Sequence, residues 1–126
     1  MSFILKILEA KMAEIFGQAL RELRRSKGIS QRSLAEKVGV DFSYISKIEN
    51  NRLPPPAADT IVKICEALSI PPDDLLSITG KMPTSTKDMI GTSSAALQFI
   101  REAEEMGLSE REWEQLTKKL KRLRSD

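Results

Sequence analysis

Gln31-Arg-Ser-Leu-Ala-Glu-Lys-Val-Gly-Val-Asp-Phe-Ser-Tyr-Ile-Ser-Lys-Ile-Glu-Asn50 is the stretch that decides how the rest of the chain is read. It carries two short amphipathic patterns, one on each side of Gly39. In the first, Leu34 and Ala35 face inward, and the small Ala35 lets a second helix come close. Gly39 supplies a backbone that tolerates a tight turn. Val40 fills the angle, and Ile45 and Ile48 anchor a second helix to the core. With these positions inward, Phe42, Ser43, Ser46 and Lys47 fall on one outward face. A helix presented in this way has the dimensions to enter a DNA major groove.

Upstream, Ile15, Ala19, Leu20 and Leu23 form an apolar stripe that predicts a helix over residues 12–26, with Gly28 placed to end it. Ser30 is the expected N-cap of a helix over 31–38, and Asp41 that of a helix over 42–50. Pro54, Pro55 and Pro56 then break the helical run. A fourth helix is expected over 57–68, with Ile61, Ile64, Cys65 and Leu68 inward. Pro71 and Pro72 open a short fifth one through Leu75 and Leu76.

Beyond Ile78 the composition shifts towards Gly, Pro, Ser and Thr, and residues 79–92 are read as a linker. Two further helices are expected, over 93–106 and from Ser109 towards Arg124. Ser109-Glu-Arg-Glu112 has the capping-box pattern. Only Gly107-Leu108 separates the two, which predicts an antiparallel hairpin. The expected fold is therefore all-α: an N-terminal extension (1–11), a five-helix domain (12–78), a linker (79–92) and a C-terminal helical hairpin (93–126). Phe3, Ile4, Ile7 and Leu8 of the extension either lengthen the first helix or add an interaction face, and the sequence does not choose between these.

Composition narrows the function classes. Of 126 residues, 40% are hydrophobic and 30% charged, as in a globular protein, and only 5% are aromatic. There is no histidine and a single cysteine, Cys65. That removes any internal disulfide, makes a metal site or cofactor unexpected, and leaves no Ser–His or Cys–His pair for an enzyme. No run approaches the ~20 apolar residues of a membrane span, so a cytoplasmic protein is expected. The net charge is only +2, yet residues 21–52 hold eight Lys or Arg against four acids. That local excess suits a polyanion such as DNA.

The motif resembles the XRE family of lambda-repressor-like helix-turn-helix regulators over residues 16–78. It is carried by Ile29-Ser-Gln31, Leu34-Ala35, Val38-Gly39-Val40, Tyr44-Ile45-Ser46, Ile48-Glu49-Asn50, Ala67-Leu68-Ser-Ile70 and Leu75-Leu76. The resemblance implies a DNA-binding set. Gln31 matches a position that touches phosphate and braces the recognition helix, with Arg32 beside it. Ser43 and Lys47 match base-reading positions. Phe42, Tyr44 and Ser46 lie on or beside the same face, and Asn50, Asn51 and Arg52 match backbone-contacting positions. Tyr44 either reads or packs. Arg24 and Glu49 match a buried salt bridge between the first and third helices.

In the hairpin, Ala96, Phe99, Ile100, Ala103 and Met106 form one apolar stripe, and Trp113, Leu116, Leu120 and Leu123 another. So small an element buries both poorly alone. The hairpin should therefore dock on the five-helix domain or on another copy, and Phe99, Ile100, Ala103, Trp113, Leu116, Leu120 and Leu123 are the expected dimerisation residues. The segment loosely resembles the hairpin of SinR-type repressors and the tails of regulators paired with ImmA/IrrE-type metallopeptidases. These resemblances imply self-association, or association with an antagonist, and in the second case cleavage by the peptidase. The leading expectation is a homodimeric repressor on a palindromic operator. The alternative is an antitoxin or antagonist-binding protein whose hairpin holds a toxin, a regulatory peptidase or an antagonist.

Overall fold

The computed structural model describes residues 2–125. Met1 of the expected extension and Asp126 of the expected hairpin segment lie outside the described residues. Among the described residues there are eight helices and no strand: α1 (Phe3–Ser26), α2 (Gln31–Val38), α3 (Phe42–Glu49), α4 (Ala58–Leu68), α5 (Asp73–Thr79), α6 (Thr84–Gly91), α7 (Ser94–Met106) and α8 (Glu110–Arg122). They form two compact units that divide between Thr84 and Ser85. None of the helices is long and apolar enough to cross a membrane.

The first unit is closed by α1 to α5. Phe16 and Leu20 of α1 meet Leu34 and Ala35 of α2, Ile45 and Ile48 of α3, Ile61, Ile64, Cys65 and Leu68 of α4, and Leu75 of α5. The short helices are defined by their ends. Ser30 Oγ accepts the Ser33 N–H at 3.0 Å, and Asp41 Oδ1 accepts the Ser43 N–H at 3.0 Å. Gly39 ends α2 in the left-handed region, φ 85°, which a side chain would strain. Cys65 is fully buried, and burial, then Asp73 and Asp74, push its thiol up to about 11. The reactive thiolate is therefore scarce at neutral pH.

Two features of this unit differ from the sequence reading. Ile15 does not face inward; it is 53% exposed, and Phe16 fills the core instead. The buried line on α1 runs Phe16, Gly17, Leu20, Arg24, while Ala19 and Leu23 of the expected stripe pack beside it, half-buried. Nor does α1 begin at Met12. Ser2 caps it, accepting the Leu5 N–H at 3.2 Å, and no proline interrupts the run that follows. Phe3, Ile4, Ile7 and Leu8 therefore stand exposed on the first turns of one continuous helix.

Residues 79–92, expected as a linker, instead hold the end of α5 and the whole of α6. The Thr84 N–H and hydroxyl both donate to the Asp59 carboxylate, at 2.9 and 2.7 Å. This carboxylate, from the first turn of α4, stands where a local N-cap would be. Lys81 Nζ donates to the carbonyls of Pro55 and Pro56 at 3.1 and 2.9 Å, tying the same segment to the proline turn.

In the second unit, Ser109 and Glu112 form the capping box that starts α8, and Gly107 ends α7 in the left-handed region. Phe99, Ile100, Trp113, Leu120 and Leu123 are exposed, the last at 77%, and Leu116 is half-buried. Ala103 departs from the dimerisation set: it is buried, so the hairpin itself uses that side chain. An apolar groove of about 650 Å³ remains, lined by Ile90, Phe99, Ile100, Trp113, Leu116 and Leu120.

Gly17 makes the closest approach in the first unit. A Cβ there would sit 2.6 Å from the Ile48 carbonyl oxygen and 2.8 Å from Asn51 Oδ1. The backbone oxygen cannot swing aside, so α1 and α3 would have to separate. Gly17→Ala is expected to destabilise the fold by about 1–3 kcal/mol despite Ala's higher helix propensity. The midpoint of urea unfolding measures this, and an unchanged or raised midpoint would contradict it.

Candidate nucleic-acid interface

The surface is organised around α3, and α3 is held by its last residue. The Glu49 carboxylate is buried and accepts a forked pair of bonds from Arg24, Nε to Oε2 at 2.7 Å and Nη2 to Oε1 at 2.8 Å. Arg24 spends a further donor on the Ile29 carbonyl at 2.9 Å. Gln31 Nε2 donates to Glu49 Oε1 at 3.0 Å, and Arg21 Nε stands 3.5 Å from the same oxygen. Three elements, α1, the turn before α2 and α2 itself, are thus fastened to the end of α3. No buried side-chain polar atom among the described residues lacks a partner.

Burial pushes the Glu49 carboxyl up, but the hydrogen bonds from Arg24, Gln31 and Arg21, together with the Arg24 charge, outweigh it. The carboxyl is held below the usual range. Arg24 is raised in turn, chiefly by its hydrogen bond to Glu49. At the other end of α3, Asp41 is lowered by hydrogen bonds from the Ser43 backbone and hydroxyl.

Outside this anchor, Ser43 and Lys47 are exposed on α3. Ser43 Oγ lies 3.2 Å from Asp41 Oδ1, so in the free protein its proton is shared with the cap. Phe42 is partly exposed, and the Arg32 guanidinium lies over its ring at 4.7 Å from the centroid, within cation–π range. Ser46 is half-buried on the same side. Tyr44, left open by the sequence, packs against the core, and burial pushes its phenol up. Asn50, Asn51 and Arg52 follow as an exposed run, with Asn51 in the left-handed region at φ 62°. Gln31 is half-buried, and its amide nitrogen is engaged inward with Glu49.

Two residues outside the sequence-derived set belong to this arrangement. Arg21 donates from Nη2 to the Glu49 carbonyl at 3.1 Å and to Asn50 Oδ1 at 2.7 Å. Gly17 opens the space in which the end of α3 sits. Arg21 is legible in the sequence only as part of a basic cluster, and Gly17 only as a glycine inside a helix, a placement that often marks close approach. No group of His, Cys, Asp and Glu among the described residues is arranged to hold a metal ion.

The state of Glu49 sets an acid limit. Its folded pKa lies below the unfolded value of about 4.3, so its contribution is fully present above that value. It is lost as pH falls through the lower folded value. Glu49→Gln strands the buried Arg24 charge and is expected to destabilise by about 3–5 kcal/mol at neutral pH. The variant should also lose stability less steeply below pH ~4.3 than the natural protein. Unfolding midpoints across pH measure both, and parallel pH profiles would contradict the assignment.

A family model described as Helix-turn-helix matches residues 20–75. The chain is 34% identical over 87 residues to the transcriptional regulator RghRB of Bacillus subtilis, covering 69% of this chain and 62% of that protein. It is 40% identical over 67 residues to the transcriptional repressor RghR of the same organism, covering 53% and 50%. The restriction-modification controller protein C.AhdI from Aeromonas hydrophila has a structure similar at a TM-score of 0.50 and 39% identity, covering 53% of this chain and 96% of that one. The match thus spans half to under two thirds of the two Bacillus proteins. The chain belongs to the XRE, lambda-repressor-like, family of helix-turn-helix transcriptional regulators.

Proposed function

We propose that this member of the XRE family is a sequence-specific repressor that binds a palindromic operator as a homodimer. The observation that carries the reading is the α3 surface: Ser43 and Lys47 stand exposed on a helix whose far end is locked by Arg24 and Glu49. A locked helix presents its backbone in place without having to order it on binding, which lowers the entropic cost. Ser43 and Lys47 are assigned to base edges. Arg32, over the Phe42 ring, and the run Asn50, Asn51, Arg52 are assigned to phosphate and groove wall. Gln31 acts by bracing α3 through Glu49.

Lys47→Ala and Ser43→Ala are each expected to weaken binding to the preferred duplex by about 1–3 kcal/mol per lost base contact, and binding to random DNA less. Gln31→Ala should lower affinity with little change in sequence preference. Titration of a selected and a scrambled duplex at fixed salt decides this; equal losses on both for Lys47→Ala would move the reading face elsewhere.

The homodimer is assigned to the hairpin. Phe99, Trp113, Leu120 and Leu123 remain open to solvent there, and burying a large apolar side chain fully stabilises by about 1.5–3 kcal/mol. Two linked domains then occupy half-sites about 34 Å apart, and each raises the effective concentration at the other. Truncation near Thr92 is expected to give a folded monomer that holds a half-site weakly. Analytical sedimentation of both forms tests this, and a monomeric full-length chain or a dimeric truncated one would overturn it. The open groove between α7 and α8 favours a second reading, in which the hairpin holds a different protein. A stable heterocomplex on purification, with the groove covered, is its signature.

A further inference from the structure

The apolar groove of about 650 Å³ lies wholly within the second unit. Ile90 of α6, Phe99 and Ile100 of α7, and Trp113 and Leu120 of α8 stand on its wall. Thr117 is there too, but its hydroxyl is spent on the Trp113 carbonyl at 3.1 Å. Lys119 is the only charged residue lining the groove. It is exposed, and among the described residues its ammonium makes no hydrogen bond or ion pair. Lys119 also borders a smaller cleft with Glu102 and Glu112, yet both carboxylates have other donors. Glu112 Oε1 accepts the Ser109 N–H and hydroxyl, each at 3.1 Å, and Glu102 Oε1 accepts from Gln98 Nε2 at 3.4 Å. The neighbouring charges share the sign of Lys119: residues 117–125 hold Lys118, Lys119, Lys121, Arg122 and Arg124 and no acid.

We propose that this groove binds a single-chain amphiphilic anion of the fatty-carboxylate class, its tail against Phe99, Ile100 and Trp113 and its carboxylate on Lys119. The volume lies within the roughly 300–1,000 Å³ of small-ligand clefts, which are mostly apolar with a few polar groups that fix orientation. One unpartnered cation on an otherwise apolar wall matches one charge on an otherwise apolar molecule. A sugar or a nucleotide would bring many polar groups that this wall leaves unpaired. A cationic amphiphile would meet charges of its own sign. Phe99, Trp113, Leu120 and Leu123 are also the side chains assigned above to hairpin pairing, so the tail and a second copy compete for them. The ligand then favours the monomer, and avidity for the operator falls. That consequence rests on the homodimer reading; the binding itself does not.

Trp113 is the only tryptophan in the chain, so its fluorescence reports on the groove directly. The full chain is titrated with octanoate, decanoate and dodecanoate, each below its micellar concentration. A saturable change is expected, with affinity rising about fourfold for each methylene buried. Decanol and decyltrimethylammonium should bind about 3–10-fold more weakly than decanoate, between the worth of an exposed and of a desolvated charge contact. Lys119→Met, a change at an exposed residue, should bring decanoate down to the level of decanol, and its decanol binding reports that the groove is intact. Sedimentation in saturating dodecanoate should show the natural protein as a monomer. The proposal is overturned if Trp113 gives no saturable response to any of the three carboxylates, or if decanol and the cationic amphiphile bind as tightly as decanoate. A dimer that persists in saturating dodecanoate overturns the competition. A chain that is monomeric without any ligand would sink the homodimer reading instead, while the fluorescence titration still decides the groove.

Discussion

One carboxylate fixes the geometry on which the candidate DNA surface depends. Glu49 is buried at the end of α3, where an unpaired charge would be intolerable. It is made tolerable by Arg24, Gln31 and Arg21, which come from α1 and α2. The fork of Arg24 sets distance and angle together, because two parallel bonds leave little freedom to rotate. The apolar core brings α1, α2 and α3 into contact, and a greasy interface tolerates sliding. The charged anchor does not, since any slip leaves donors and acceptors unpaired in a poorly solvated place.

Around that anchor, the surface divides by chemistry. Residues that face the core end, Tyr44 and Gln31, are engaged in packing or bracing. Residues one helical step away, Ser43, Ser46 and Lys47, remain available. The Arg32–Phe42 stack holds a guanidinium at the front of α3, and Asn50 to Arg52 close its back. The close approach at Gly17 belongs to the same design, since α3 ends against bare backbone there. The hairpin is built on other terms. Its ends are capped locally and its apolar residues stay largely exposed.

Much of this is legible in the sequence. Ser30, Asp41 and Gly39 mark helix ends because their chemistry acts within two or three residues, and the same holds for Ser109 with Glu112. Inward Leu34, Ile45, Ile48, Ile61 and Leu68 follow from helical periodicity, which is also local. The family resemblance, carried by those same positions, pointed to Arg24 and Glu49, 25 residues apart, which the structure places 2.7 Å from each other.

The sequence by itself determined the helical class, the caps at Ser30, Asp41 and Ser109, most of the core and the outward face of α3, because each is written in spacing over a few residues. Tertiary structure decided the rest. Whether Ile15 or Phe16 turned inward depended on how α1 rolled against its neighbours, a rotation of one residue that periodicity resolves poorly. The first residue of the helix over 84–91 is held by Asp59, 25 residues earlier. Arg21 became part of the α3 anchor, rather than one more solvated cation, because Asn50 stood within 2.7 Å. In each case the deciding group lay far away along the chain, and only the packed core brought it within the 3 Å over which a hydrogen bond acts.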